Sequence, residues 1–591
     1  MNGVSAGKSG RVALAALSAA FVTAAVAWTV TSANELSTTF DEPHHLTTGL
    51  AWWQFGNTRW WTENPPLPKV VIAALPYLAG LRPRADPAAT PGRNPWSVGI
   101  ELLDGRSDAG HLLLLARLGT AAFLLLALGV TFALAGGRRR PLSAFIATAL
   151  CATYPPLLGH AGLATTDVAA VAMVLLFLLA LDRWASRPTR ARALAVGAAF
   201  AGALLCKLTA PLFCAAGAGG WLVGRRVVLG AWLGGDTDNT GPGFRARALL
   251  VQVAVGAVAA FFVTWAGYRF SIGRLDDFAP ASYLGTPVIP TADARSGLIR
   301  WLCRVPLPAP EALHGALFLR AHDHRGHTAF LFGRLSEHGF WNFYLVGLLL
   351  KSPLPFLALV AAAAALLVRR GARALDPRAL GAALAALATL ALSTVMTVNI
   401  GLRHLLGAVP LLAVFAGSTL GPWVAALSLP GRRALAAGAL AVLLAVNVAI
   451  VQSAHPELFA YFNPLAGREP GQALIDSDLD WGQDLGLLKR ELRARQITSL
   501  HYGLFAIVNP CDPEMPSMHA LEPGRPVTGW VVLSEQFYRS TLHFSFCRDS
   551  CAREAEYGFH SDPGDAFDWL KGGPLTAQIG ASLRLYHLAE R

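Results

Sequence analysis

A chain of 591 residues that is 54% hydrophobic and 15% charged, with mean hydropathy +0.44, is excluded from the soluble globular classes and falls among polytopic membrane proteins. The net charge of +12 does not imply nucleic acid, because the arginines cluster in short loops between apolar runs, where the positive-inside rule accounts for them. Seven scattered cysteines without C-x-x-C pairing exclude a thiolate zinc site.

In chain order, "MNGVSAGKSGR" and the apolar run from Val12 to Val30 resemble a signal peptide but are long enough to span, and no small-residue cleavage site follows. This reads as an uncleaved first helix. Apolar stretches near the roughly 20 residues that cross a bilayer recur at 12–32, 111–135, 141–158, 163–182, 192–206, 208–223, 247–267, 341–368, 379–398, 403–421 and 434–452, which predicts eleven spans. Basic clusters at Arg138 to Arg140, Arg183 to Arg192, Arg225 to Arg247, Arg369 to Arg378 and Arg432 with Arg433 fall in alternate loops. With those loops cytoplasmic, the N-terminus is inside an inner membrane. A transmembrane domain over 1–452 then exposes loops 33–110 and 268–340 outside, together with a region from 453 to 591.

That last region gains polar residues. "QALIDSD" reads as a strand, "DWGQDLGLLKRELRARQ" as a helix with Leu485, Leu488 and Leu492 on one face, and "SLHYGLFA" and "GWVVLSE" as further strands, so a small external α/β domain is expected. Cys511, Cys547 and Cys551 lie there, with Cys303 in the preceding external loop, in a compartment that permits a disulfide of undetermined pairing.

The residues that look chemical lie on the external side. "FDEPHHLTTGLAWWQFGNTRWWTENPPLPK" follows the first span with Asp41, Glu42, His44, His45 and Glu63 among four tryptophans. Pro43 and the tryptophans suit an interfacial helix with Leu46, Leu50 and Trp53 turned to lipid or protein. They leave the acids unexplained, because a charge near hydrocarbon costs a few kcal/mol unless it is used or paired. The elbow Pro65-Pro66 could hold Glu63 against Asp41. Asp167 in "HAGLATTD" opens a span, where helix capping is the plain account. Lys207, Lys351 and Arg403 each interrupt an apolar run; snorkelling explains any one of them, but an arginine at an external helix start also suits a phosphate. A transport pathway would spread ionisable residues through the membrane depth, so this one-sided set points to an outward-facing enzyme.

The Asp-Glu pair, "ENPPL", "HAGLATTD", "CKLTAPL", "FWNFYLVGLLLKSPLPF", "GLRHLL" and "YFNPLAG...DSDLDWGQDL", over about residues 35 to 490, together resemble membrane glycosyltransferases of the GT-C fold. The groups most similar are the dolichyl-phosphate-mannose protein mannosyltransferases and their bacterial relatives, including the aminoarabinose transferase that modifies lipid A. The resemblance implies an inverting enzyme that moves a sugar from a polyprenyl-phosphate donor to an acceptor hydroxyl on a protein, lipid or glycan at the external face. It implies Asp41 as catalytic base beside Glu42, Glu63 and Asp167 as further family acids, and Arg403 near the lipid phosphate. Where the aminoarabinose transferases carry Glu-Lys-Pro-Pro, this chain has Glu63-Asn64-Pro65-Pro66, so the phosphate contact falls to Arg59, Lys69, Lys207 or Arg403, with His404 alongside. A divalent metal ion could assist the phosphate, with His44, His45 or Glu63 as ligands. The Asp-x-Asp-x-Asp spacing at 476–480 lacks the closing glutamate of a calcium loop and reads as strand-end and helix-cap chemistry. Two other readings are a GT-C ligase moving a whole glycan and a lipid or sugar transporter. Nucleic acid has no place in any of the three.

Overall fold

The computed structural model describes residues 8–86, 94–234, 242–278, 288, 297–506, 512, 514–522, 524–540, 567–570 and 573–589. Helix α1 (Lys8–Glu35) leads to the short α2 (Glu42–Phe55), α3 (Pro66–Leu78) and α4 (Pro95–Leu103). The bundle continues with α5 (Ala109–Leu134), α6 (Pro141–Ala152), α7 (Pro155–Ala161), α8 (Asp167–Ser186), α9 (Arg190–Leu204), α10 (Ala210–Leu229) and α11 (Pro242–Gly267). A connection follows that holds α12 (Gly297–Arg304), α13 (Pro310–Arg325) and the two-residue and three-residue strands β1 (Ile272–Gly273), β2 (Leu307–Pro308), β3 (Ala329–Leu331) and β4 (Arg334–Ser336). The bundle closes with α14 (Phe343–Lys351), α15 (Leu354–Arg370), α16 (Pro377–Ser393), α17 (Ala408–Ala425) and α18 (Pro430–Ala454).

All eleven expected apolar segments are helical. Among the described residues seven single helices are long and apolar enough to cross a membrane, and two bent pairs, each counted as one span, bring the number to nine, so the chain is a multi-pass membrane protein. The two remaining segments, α9 and α16, have 15 and 17 residues and fall short of a full crossing by length. The breaks have a chemical cause. Pro155-Pro156 cannot continue α6, which turns by 66° into α7, and Ser352-Pro353 separates α14 from α15 at 112°. The interior is built from small residues. A side chain at Gly220 or Gly224 of α10 would come within 2.5 Å of main-chain atoms of α16, so that pair of helices packs backbone to backbone. Helix α11 keeps none of its apolar window buried and presents it to lipid.

Beyond the bundle, β5 (Ser499–Gly503), β6 (Ser517–Ala520), β7 (Gly529–Ser534), β8 (Leu575–Ile579) and β9 (Leu583–Leu588) form one sheet in the order β6-β5-β7-β9-β8, parallel across β6-β5-β7 and antiparallel across β7-β9-β8. Helix α19 (Leu485–Ala494) covers it through Leu488 and Leu492, as the leucine spacing predicts, and α20 (Glu535–Ser540) follows β7. "QALIDSD" is not a strand. It bends through a 3-10 turn at Asp476–Asp478, with Asp476 at φ 60°, because the buried Asp478 carboxylate turns toward the Leu402 N–H and Lys351 and Asp476 accepts from the Ser477 N–H, instead of the segment pairing with a neighbouring strand. Cys511, Cys547 and Cys551 lie outside the described residues, and Cys303 is buried and free.

The turn between α1 and α2 is fixed by a buried ion pair. Glu42 accepts from Arg117 Nε at 2.7 Å and Nη2 at 2.6 Å, and also from the N–H of Ala164 and of Thr39, both at 2.8 Å. Arg117 spends its remaining donors on the carbonyls of Ala33, Leu36 and Ser37. Every partner is satisfied, so removing one end strands a buried charge, at a cost of about 3–5 kcal/mol. Arg117→Met is expected to lower the thermal unfolding temperature of the detergent-solubilised protein sharply, and Arg117→Met with Glu42→Gln to recover much of the loss. An Arg117→Met protein as stable as the parent would contradict this role.

Candidate functional site

Helix alternation brings the ends of α1, α7 and α9 and the starts of α8, α10 and α17 to one end of the bundle. Asp41 stands just before α2, Asp167 is the first residue of α8, Lys207 lies in the break between α9 and α10, and Arg403 and His404 occupy a 3-10 turn, Leu402–Leu405, just before α17. These five residues, far apart in sequence, form one cluster. Arg403 Nη1 lies 2.7 Å from Asp41 Oδ2 and 3.7 Å from Asp167 Oδ2, and Lys207 Nζ lies 2.6 Å from Asp167 Oδ1. Two carboxylates therefore face two cations.

Arg403 is held by more than its ion pairs. Its guanidinium lies over the Trp481 ring at 4.3 Å, a cation–π placement. Its turn begins at Gly401, with φ 107°, where a side chain would strike Ser477 Oγ. Asp478 accepts from the Leu402 N–H at 3.0 and 3.2 Å, and Lys351 Nζ, fully buried, bonds the carbonyls of Phe459 (2.7 Å) and Asp478 and lies 3.6 Å from the Asp478 carboxylate. Although burial opposes its charge, Asp41, then Asp167 and Asp476, raise the Arg403 pKa further, so it stays a cation. His404 is pushed well below its usual range by burial and by Lys207 and Arg403, and is neutral; its Nδ1 lies 3.4 Å from the Tyr344 hydroxyl.

Below this cluster opens a cavity of about 40 Å³ lined at one end by Asp167, Lys207, Arg403 and His404 and along its walls by apolar side chains that include Val171, Val174, Leu178, Phe213 and Leu411. Its charged end sits where α8, α10 and α17 begin. Helix N-termini carry partial positive charge and unpaired N–H groups, so three of them beside two cations make a place for an anion. The walls suit hydrocarbon.

Other expected site residues lie elsewhere. Glu42 is committed to Arg117, with both oxygens engaged. Arg59 reaches Glu311 at 3.7 Å, Asp277 at 3.8 Å and the Ile272 carbonyl, and so ties the 268–340 connection to the loop after α2. Lys351 belongs to the Asp478 support and is absent from the cavity lining. Lys69 donates to the Trp61 carbonyl at 3.1 Å, and Glu63 accepts from Trp61 Nε1 and, at 3.2 Å, from Asn64 Nδ2. The rings of His44 and His45 lie 3.8 Å apart, centre to centre and tilted by 42°, and the Trp96 ring lies 4.2 Å from that of His44. Among the described residues no three His, Cys, Asp or Glu side chains converge to hold a metal ion, so His44, His45 and Glu63 do not form the ligand set considered for one.

No family model matches this chain, and no curated protein does. Two crystal structures of ArnT from Cupriavidus metallidurans, one bound to undecaprenyl phosphate and one in the apo state, align over 96% of this chain and 97% of theirs, with 15% identity and a TM-score of 0.48 in each case. At that score the likeness carries no weight, and the chemistry rests on the side chains.

Several of those escaped the sequence reading. Arg117 falls inside the predicted span 111–135, and Trp481 inside the predicted helix. Asp476 and Asp478 read as strand-end and cap residues, although three acids within five positions, without basic neighbours, do signal distant cations.

Burial raises the Glu63 pKa to about 7, with the Trp61 hydrogen bond opposing and the Asp41 charge adding. Between pH 4.5 and 7 the folded protein keeps a proton that the unfolded chain has released, so Glu63 makes folding less favourable as pH rises through that window. The unfolding temperature of the parent, relative to Glu63→Gln, is expected to fall from pH 4.5 to 7; a constant difference would contradict a protonated Glu63.

Proposed function

We propose that this protein is an inverting glycosyltransferase that takes a sugar from a polyprenyl-phosphate donor at the outer face of the inner membrane and passes it to an acceptor hydroxyl of a protein, lipid or glycan. The observation that carries this reading is the cavity: cations and helix N-termini at its mouth, hydrocarbon along its walls. An anionic headgroup on an apolar chain has that distribution.

Asp41 and Asp167 divide the work by exposure. The Asp167 side chain is 2% exposed and pinned by Lys207, whereas Asp41 is 18% exposed and meets Arg403 through one oxygen. Asp41 is the carboxylate an acceptor can reach. It takes the proton of the acceptor hydroxyl as that oxygen attacks the anomeric carbon from the side opposite the phosphate. The bond from anomeric carbon to phosphate oxygen breaks, and the charge left on the lipid phosphate is met by Arg403 and Lys207. His404, being neutral, adds a hydrogen bond and no charge.

The arrangement also orders the events. In the empty site Arg403 and Lys207 are neutralised by Asp41 and Asp167. An arriving phosphate competes for both cations, loosens the Asp41–Arg403 pair and leaves Asp41 with a lone pair for the incoming hydroxyl. Glu42 has no step, and its part is to hold the turn that presents Asp41.

With purified protein in nanodiscs, Asp41→Asn is expected to retain undecaprenyl phosphate binding while sugar transfer from a polyprenyl-phosphate donor falls at least about a thousandfold. Lys207→Met and Arg403→Gln are expected to weaken that binding about tenfold or more. Full transfer by Asp41→Asn sinks the base assignment, and unchanged binding in both cation variants sinks the phosphate assignment.

A further inference from the structure

A second cavity lies beside the loop that follows α2. It is lined by Thr48, Trp52, Asn57, Thr58, Trp60, Thr62, Asn64, Pro66, Lys69 and Tyr268 and is therefore walled by α2, the loop after it, the start of α3 and the residue following α11. Its volume is about 10 Å³, within about 300 Å³ of atom-free space that includes solvent. That core has room for one water or one hydroxyl group.

Two of its polar atoms are buried and idle. Tyr268 is 2% exposed and its hydroxyl has no hydrogen-bond partner among the described residues; the indole N–H of Trp52 has none either. A buried polar group left unpaired is costly, so two on one cavity need an account. Beside Tyr268 the hydroxyl protons of Thr58 and Ser271 go to Glu311, at 2.8 and 2.7 Å, and Thr62 pairs with His314 at 2.7 Å. The Trp52 ring is held, with the Arg269 guanidinium 4.8 Å over it and bonded to its carbonyl.

We infer that this cavity is a recognition pocket for a sugar ring: one ring hydroxyl enters the core, accepts from Trp52 Nε1 and bonds the Tyr268 hydroxyl, and the ring's apolar face lies against the tryptophans. Aromatic faces with a few fixed hydrogen-bonding groups are the chemistry that selects a polyhydroxylated ring over a hydrocarbon or an ion. Asn64, on the cavity wall, donates to Glu63 at 3.2 Å and lies 3.5 Å from His44 Nε2. The inference rests on the glycosyl-transfer reading only for the origin of the ring, either the donor headgroup or an acceptor glycan.

The test uses the full-length protein in nanodiscs and saturation-transfer NMR with a panel of methyl pyranosides (gluco, galacto, manno and 4-amino-4-deoxyarabino) at millimolar concentration. At least one is expected to give ring-proton saturation that falls at least fivefold in both Tyr268→Phe and Trp52→Phe, while undecaprenyl phosphate binding stays within twofold. Tyr268→Phe without ligand is expected to unfold at the same temperature as the parent or higher, since the hydroxyl it deletes is unpaired; a lower temperature means that a resident water bridges the hydroxyl and overturns the proposal. Absence of saturation for the whole panel, or saturation that survives both substitutions, also overturns it. Displacement of the responding glycoside by its polyprenyl-phosphate ester assigns the pocket to the donor and retention assigns it to the acceptor; both uphold the pocket. Failure of the parent to bind undecaprenyl phosphate counts against the phosphate site and leaves the pocket result standing.

Discussion

Arg403 must face two carboxylates, and the rest of the site follows from how it is made to do so. A guanidinium at the end of an apolar bundle would turn toward water if its backbone allowed. It does not turn, because Asp478 grips the Leu402 N–H, Gly401 supplies a left-handed bend against Ser477, and the Trp481 ring closes one face. Asp478 is in turn a buried carboxylate and needs Lys351, which α14 delivers at its last residue, where Ser352-Pro353 ends the helix. The position of one cation is thus set by a chain of buried charges that runs from a bent span to the segment before the sheet.

The same segment holds the other half of the site. The N–H groups of Ser37 and Phe40 donate to the carbonyls of Gln483 and Trp481 at 3.0 and 3.1 Å, so the strip that leads into Asp41 is bonded to the segment that positions Arg403. Glu42 and Arg117 fix that strip from the bundle side. Two neighbouring acids therefore have opposite fates: Glu42 is surrounded by donors, and Asp41 meets Arg403 through one oxygen. In the proposed reaction Asp41 is left to act as base because Glu42 holds the turn. The pairing also keeps the empty site neutral, with Asp41 and Asp167 against Lys207 and Arg403, which is how four charges tolerate so little water.

Hydropathy and proline positions determined a good deal by themselves. The eleven apolar segments, the helix after Asp41, the breaks at Pro155 and Pro353, α19 and the strands β5 and β7 are consequences of local composition, since the cost of exposing main-chain groups to hydrocarbon and the geometry of proline act over a few residues. The sequence also singled out Lys207 and Arg403, because an ionisable group that interrupts an apolar run is expensive wherever it ends up, and Asp41 and Asp167 as acids at the external ends of spans. What only the tertiary structure decided is the partner of each charge. Nothing local separates Glu42 from Asp41, or Lys351 and Arg59 from Lys207. Arg117 is 75 residues from Glu42 and Arg403 is 362 residues from Asp41, and a charge is assigned to structure or to chemistry by the group that neutralises it. That group is brought up by helix packing, through contacts between small residues that carry no label in the sequence.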